Sequence, residues 1–189
     1  MKDSRLYRIV RPLVKFVTNV FIRPKYIGLD NIPKNEKIIL AGTHTHPLDC
    51  WLLMSSTKRS VHFLAKKELW KGPKKLFFAN MGLIPVDRST KDKNALELAE
   101  KCLNSGGLIG IFPEGTISKD KGLLPFKIGA VKMASDTNTF IVPFAISGKY
   151  RLFSRNLKIV YGKAIEVKGD LDKANDNLRD IVKKLLEDE

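Results

Sequence analysis

The eight residues THTHPLDC, Thr43 to Cys50, bring together two of the chain's three histidines, an aspartate and one of its two cysteines. Three chemistries use such groups. A metal site would take His44, His46 and Asp49 as ligands. Catalytic zinc, however, asks for three protein ligands in a set pattern, Leu48 stands where that pattern wants its aspartate, and only His62 remains elsewhere, so no metal ligand set is expected. A thiol site would use Cys50 as nucleophile, with His46 four residues earlier on the same helical face. Within CWLLM, Cys50 reads better as a small buried apolar group. The third chemistry makes His44 a general base and Asp49 its orienter. IILAG before them reads as a strand and Pro47 suits the start of a helix, so Asp49 falls in the first helical turn. The helix dipole and free N–H groups suit a carboxylate there. Such a turn folds Asp49 back toward His44, where it can hold the imidazole tautomer while the ring deprotonates a hydroxyl. On these residues alone, a plain helix-capping or loop role for His44 stays open.

Two further loops carry reactive types. GLIPVDR ends on Asp87 and Arg88, and the planar fork of arginine suits a phosphate or carboxylate. IFPEGTIS offers Glu114, then Gly115, where a backbone can approach a ligand closely, and the hydroxyls of Thr116 and Ser118. Taken singly, the first is an ordinary surface pair and the second an ordinary turn.

What positions these loops is an alternation of short apolar runs with helical patterns, the signature of an α/β domain. Strands are expected at YIGL, KIILAG, VHFLA, GLIPV, GLIGIF, FIVPFAI and LKIVYG. Helices are expected over Pro47–Ser55, Pro73–Asn80, Lys91–Asn104, Ile128–Ser135 and Leu171–Glu187; in the last, Ala174, Leu178, Ile181, Val182, Leu185 and Leu186 form one stripe. A mostly parallel central sheet flanked by helices follows. All three loops then lie beyond the carboxyl ends of strands, where open α/β sheets place their sites.

Ahead of this domain, which spans 25–189, residues 1–24 read as a basic amphipathic helix. Leu6, Val10, Leu13, Val17 and Val20 recur at three- and four-residue steps, and Arg5, Arg8, Arg11, Lys15 and Asn19 follow another face. Pro12 should kink or restart it. A transmembrane span needs about 20 mostly apolar residues, and charges recur here too often. Either the helix lies among anionic headgroups or it docks its stripe on the domain. The 189 residues carry a net charge of +14, which favours an anionic partner. Cys50 and Cys102 are too far apart in sequence to suggest a zinc ribbon or disulfide framework. With no secretory signal read at the N-terminus, a peripheral protein on the cytoplasmic face of the membrane is expected.

HTHPLD, GLIPVDR, FPEGTIS and IVPFAISG resemble, in order and spacing, the four sequence blocks of the glycerolipid acyltransferase family. The likeness runs from about Tyr26 to Ile165 and includes FLAKKELWKGP and FKIGAVKMA. It implies that His44 deprotonates an acceptor hydroxyl that attacks the thioester of acyl-CoA or acyl-carrier protein, with Asp49 in support and no cofactor. It also implies that Arg88 and Lys67 bind the phosphate of lysophosphatidic acid or a related lysolipid. Glu114, Gly115 and Thr116 would place the glycerol backbone, and Val142 and Pro143 would shape the acyl-donor side. The product would be phosphatidic acid, made at an anionic lipid surface.

Three positions depart from the family pattern. Thr43 replaces an asparagine, His46 replaces a serine and becomes a second candidate base, and Ile117 replaces an arginine that commonly binds phosphate. Lys119, Lys121 or Lys127 are candidates to compensate by position. The competing reading is a non-catalytic basic protein that binds anionic membrane or nucleic acid. It leaves the His–Asp turn unexplained, and aromatics as scattered as Phe63, Trp70, Phe77 and Phe78 argue against a nucleic-acid groove.

Overall fold

The computed structural model describes residues 4–70, 72, 74–87, 92–118 and 122–188. The seven apolar runs form one sheet: β1 (Lys25–Ile27), β2 (Ile38–Gly42), β3 (Val61–Lys66), β4 (Ile84–Val86), β5 (Leu108–Ile111), β6 (Phe140–Ser147) and β7 (Lys158–Tyr161). Their order is β1-β7-β6-β2-β5-β3-β4. The five strands from β6 to β4 are mutually parallel, and β7 runs antiparallel to β6. The expected α/β architecture is thus present, with an antiparallel flank in which β1 pairs in parallel with β7.

Strand β2 is buried throughout because both faces of the sheet are covered. Ile38 and Leu40 face a core shared with helices α1 (Arg5–Val17) and α2 (Asp49–Ser56). Ile39 and Ala41 face one shared with α4 (Lys93–Asn104), α5 (Gly129–Thr137) and α6 (Leu171–Glu187). The short α3 (Lys74–Asn80) joins β3 to β4. Each fully buried Leu or Ile of β2 contributes about 1.5–3 kcal/mol.

The topology creates the crevice. From β2 the chain crosses over β5 to reach β3, whereas from β5 it crosses over β2 to reach β6. The loops leaving β2 and β5 therefore part in opposite directions, and the sheet opens between them at its carboxyl edge. Because β7 is antiparallel, the segment linking β6 to β7 lies at that same edge.

The N-terminal helix differs from its sequence reading. It runs through Pro12 without restarting, capped by Ser4, whose hydroxyl accepts the Tyr7 N–H at 3.0 Å. Tyr7, Val14 and Ile22 are buried against the sheet, with Leu6 and Val10 partly so. Leu13, assigned to the docking stripe by periodicity, points outward with Ile9 and Phe16, so the helix has a second apolar face. A π-helical turn (Thr18–Ile22) continues it, rotating Ile22 inward and leaving Phe21 exposed. Leu29, read as strand, begins a 3-10 turn, because Gly28 before it has φ of 73°.

One position tests the ladder at the base of the crevice. A Cβ on Gly42 would fall 1.9 Å from the Phe144 carbonyl oxygen, so β2 reaches its partner only without a side chain. Gly42→Ala is expected to lower unfolding free energy by about 3 kcal/mol, read from urea denaturation.

Candidate active site

After β2 the chain turns through 43–48 before α2 begins, and Asp49 is the first residue of that helix. Its side chain is completely buried, at 0% exposure. Instead of capping its own helix it folds back. Oδ2 accepts the backbone N–H groups of Thr45 at 2.7 Å and His46 at 2.9 Å, and meets His44 Nδ1 at 2.9 Å. Oδ1 accepts the Tyr150 phenol at 2.5 Å and the Thr45 hydroxyl at 3.3 Å. An oxygen that already accepts two N–H groups is an acceptor for a third, so the His44 proton sits on Nδ1. Nε2, which has no hydrogen-bond partner among the described residues, is the basic edge. Phe112 stacks on the ring at 4.0 Å and 15°, and the imidazole keeps 17% of its surface exposed.

His46 is differently placed. Its Nδ1 accepts the Leu48 N–H at 3.2 Å and its ring stacks on Tyr150 at 4.2 Å. The imidazole that meets Asp49 is His44. Cys50 is directed away from thiolate chemistry, since burial, then the neighbouring Asp49 charge, pushes its thiol up to about 12.

Glu114 joins the first and third loops. It is 5% exposed, and its oxygens accept the His44 N–H at 2.7 Å and the Leu124 N–H at 3.2 Å. The Ser118 N–H donates to the His44 carbonyl at 2.9 Å, so His44 is gripped by the β5 loop on both sides of its backbone. Glu114 is therefore a buried brace as well as a wall of the crevice. Burial raises its pKa, while the two N–H groups pull it the other way.

A cleft of about 610 Å³ opens beside these groups, lined by Thr43, Thr45 and His46 of the first loop, Glu114, Ser118 and Leu123 after β5, and the stretch from Ile146 to Tyr150. Thr43, in place of the family asparagine, uses its hydroxyl to accept the Ile146 N–H at 2.8 Å, closing the end of β6. Val142 and Pro143, expected from the resemblance to shape the donor side, are buried within β6; they point to opposite faces of the sheet, and both faces are covered. The part of that block which reaches the cleft is its end, from Ile146.

The remaining candidates lie around this center. Gly115, at φ of 70°, would clash with the Lys127 side chain if it bore a Cβ, with Nζ at 2.8 Å. Lys127 therefore extends over Gly115 in the third block, the same block in which Ile117 replaces arginine. Thr116 is exposed. Lys67 starts a 3-10 turn just past β3, and its charge acts on the Asp92 carboxylate. Asp92 in turn accepts the Asp87 N–H at 2.8 Å, so Lys67 and Asp87 occupy one corner of the carboxyl edge. Arg88, Lys119 and Lys121 lie outside the described residues. Among the described residues, no three His, Cys, Asp or Glu side chains gather to hold a metal ion. His62 instead meets the Gly82 carbonyl at 2.8 Å through Nδ1. Sequence reasoning missed Phe112, which stands within IFPEGTIS, and Tyr150, which lies just past IVPFAISG; Ser118 was singled out for its hydroxyl, whereas its backbone N–H makes the contact with His44.

The raised pKa of Glu114 has a stability consequence. Between its unfolded value near 4.5 and its higher folded value the native state binds the extra proton, so this group's contribution falls as pH rises. Compared with Glu114→Gln, which does not titrate, the wild type should lose relative stability as pH climbs from 4.5, in urea unfolding at several pH values.

Comparison with known proteins agrees with this architecture. The family model described as Acyltransferase matches residues 23–147. A 1-acyl-sn-glycerol-3-phosphate acyltransferase of Borreliella burgdorferi is 33% identical over 74% of this chain and 56% of its own length. The enzyme of that name from Bacillus subtilis is 27% identical over 85% of this chain and 82% of its own. The chain thus spans little more than half of the first relative and most of the second. The crystal structure of the 1-acyl-sn-glycerophosphate (LPA) acyltransferase PlsC from Thermotoga maritima superposes with a TM-score of 0.80 at 23% identity, over 96% of this chain and 80% of that one, and shares its fold. The four blocks, the carboxyl-edge crevice and the family match over most of the chain establish that this protein belongs to the acyltransferase family.

Proposed function

We propose that the protein is an O-acyltransferase that moves a fatty acyl group from acyl-CoA or acyl-carrier protein to the free hydroxyl of lysophosphatidic acid or a related lysolipid, giving phosphatidic acid or its analogue. The observation that carries this reading is the His44–Asp49 pair at 2.9 Å, set at a crevice where the neighbouring Cys50 thiol is held out of its thiolate form. The names of the relatives support the choice of acceptor.

In this reading His44 Nε2 accepts the proton of the acceptor hydroxyl as its oxygen attacks the thioester carbonyl. The new C–O bond forms, and the tetrahedral adduct collapses with cleavage of the C–S bond. The imidazolium returns the proton to the leaving thiolate. Asp49 stabilises the imidazolium, and no covalent enzyme intermediate is needed. Lys67 at one corner of the carboxyl edge, Lys127 over Gly115, and Arg88, which the sequence sets one residue past Asp87, are the cations proposed to bind the acceptor phosphate, with Glu114, Gly115 and Thr116 shaping the glycerol site.

The place of work is proposed to be an anionic membrane surface, on its cytoplasmic face. Ile9, Leu13 and Phe16 on α1 are 69%, 61% and 61% exposed, and Arg5, Arg8 and Lys15 flank them. Exposed Leu76 and Phe77 on α3 lie on a helix held to the start of α1 by the Ser4 hydroxyl and the Asn80 carbonyl. Exposed Phe21, Leu152 and Phe153 mark the other end. Among the described residues no helix is long and apolar enough to cross a membrane, and an in-plane, partly inserted pose fits this surface.

Purified protein given a labelled acyl thioester and lysophosphatidic acid should form phosphatidic acid, and His44→Ala should lose at least about 100-fold in kcat. Product that survives this change would move the base to His46, and no product with any lysolipid and either donor would favour a non-catalytic binder. In vesicle co-sedimentation, Leu13→Asp with Phe16→Asp should reduce binding to vesicles containing phosphatidylglycerol, and added salt should weaken wild-type binding.

A further inference from the structure

The two oxygens of Asp49 keep different company. Oδ2 holds His44 Nδ1 and two backbone N–H groups, whereas Oδ1 has the Tyr150 phenol at 2.5 Å and the Thr45 hydroxyl at 3.3 Å, the latter at the weak end of hydrogen bonding. We propose that Tyr150 is a positioning residue of the transfer reaction: its phenol fixes the rotation of the Asp49 carboxylate that aims Oδ2 at His44, and its ring holds His46 aside. This rests on the acyl-transfer reading above.

The last torsion of an aspartate is broad and does not set the carboxylate plane by itself. Donors on both oxygens must do so, and Oδ1 has one short donor. Tyr150 is suited to supply it. Burial, and the Asp49 charge that faces it, raise its pKa far above the ordinary phenol value, so the O–H remains a donor. The same ring stacks on His46 at 4.2 Å. His46 is the one imidazole that could compete with His44, and between Tyr150 and the Leu48 N–H it is held in another orientation. Tyr150 also lines the cleft beside Lys149, Gly148 and Ser147, so the group that orders Asp49 belongs to the wall that would face substrate.

The segment bearing Tyr150 is itself tied down. The Phe153 N–H donates to the Phe21 carbonyl at 2.5 Å, the Phe21 and Phe153 rings meet at 5.6 Å, and the Arg23 guanidinium lies over the Phe153 ring at 5.7 Å. Positioning a buried carboxylate to within a few tenths of an ångström calls for such an anchored support.

Tyr150→Phe keeps the ring on His46 and removes only the phenol. Steady-state kinetics should show kcat reduced about tenfold, with KM for both substrates within about twofold, as expected when a charge-assisted bond that orders the base is lost. In parallel, the His44 Nδ1–H proton resonance, assigned by its absence in His44→Gln, should move upfield and broaden in Tyr150→Phe. Unchanged kcat with an unchanged resonance would overturn the proposal, as would a rise in KM alone, which would make Tyr150 only a wall of the cleft. The resonance needs no substrate. If wild-type protein transfers no acyl group, the functional reading fails, while the resonance still decides whether Tyr150 positions the pair.

Discussion

Everything at the carboxyl edge of the sheet is arranged around one buried anion. Asp49 has no exposed surface, and a carboxylate taken out of water is stable only where donors replace the water it loses. Here they come from three places: the turn before α2, the His44 ring and the segment after β6. The need to satisfy Asp49 therefore dictates the path of residues 43–48, the direction of the His44 ring and the seat of Tyr150. Truncating the carboxylate would release all three together, so single-site effects around it should not add.

The fold supplies what this arrangement cannot make for itself. Crossovers leaving β2 and β5 in opposite directions open a gap into which the first and third loops descend side by side. Glu114 and Ser118 from the β5 loop bind the backbone of His44 directly, so the histidine is positioned by a neighbouring strand as much as by its own. Phe112, between the His44 ring and Phe144, adds an apolar backing. The base is thereby pinned through its amide, its carbonyl, one ring nitrogen and one ring face.

Much of this was legible in the amino-acid sequence, for reasons of period and composition. Buried parallel strands are continuous apolar runs, so IILAG and GLIGIF declared themselves, and the loops beyond them had to meet at one edge. Asp49 could be placed in a first helical turn from Pro47, although the helix itself begins two residues later, at Asp49. What escaped were relations that depend on distance across the fold. Tyr150 is 101 residues from its partner and carries no local pattern. The resemblance cast Glu114 as a group that places the glycerol backbone; that its oxygens serve the His44 and Leu124 amides follows only from the pairing of β2 beside β5. In α1, periodicity found an apolar stripe but not that the helix has two, because charged residues between them disguise the second.

The left-handed conformations of Arg23 and Phe153 bear on how this chain could change. Two non-glycine residues at positive φ are costly unless their surroundings enforce them, and these two enforce each other through a cation over a ring. The connection between β6 and β7 would otherwise be an ordinary surface loop, the sort of place where chains lengthen freely. With Tyr150 fastened to Asp49 at one point and Phe153 to Phe21 at another, it has no slack. Changes of length in this loop are therefore confined by the active center, and additions to the protein are better accommodated at the opposite edge of the sheet, in the turn between α4 and β5, where a side chain at Gly106 would meet no neighbour.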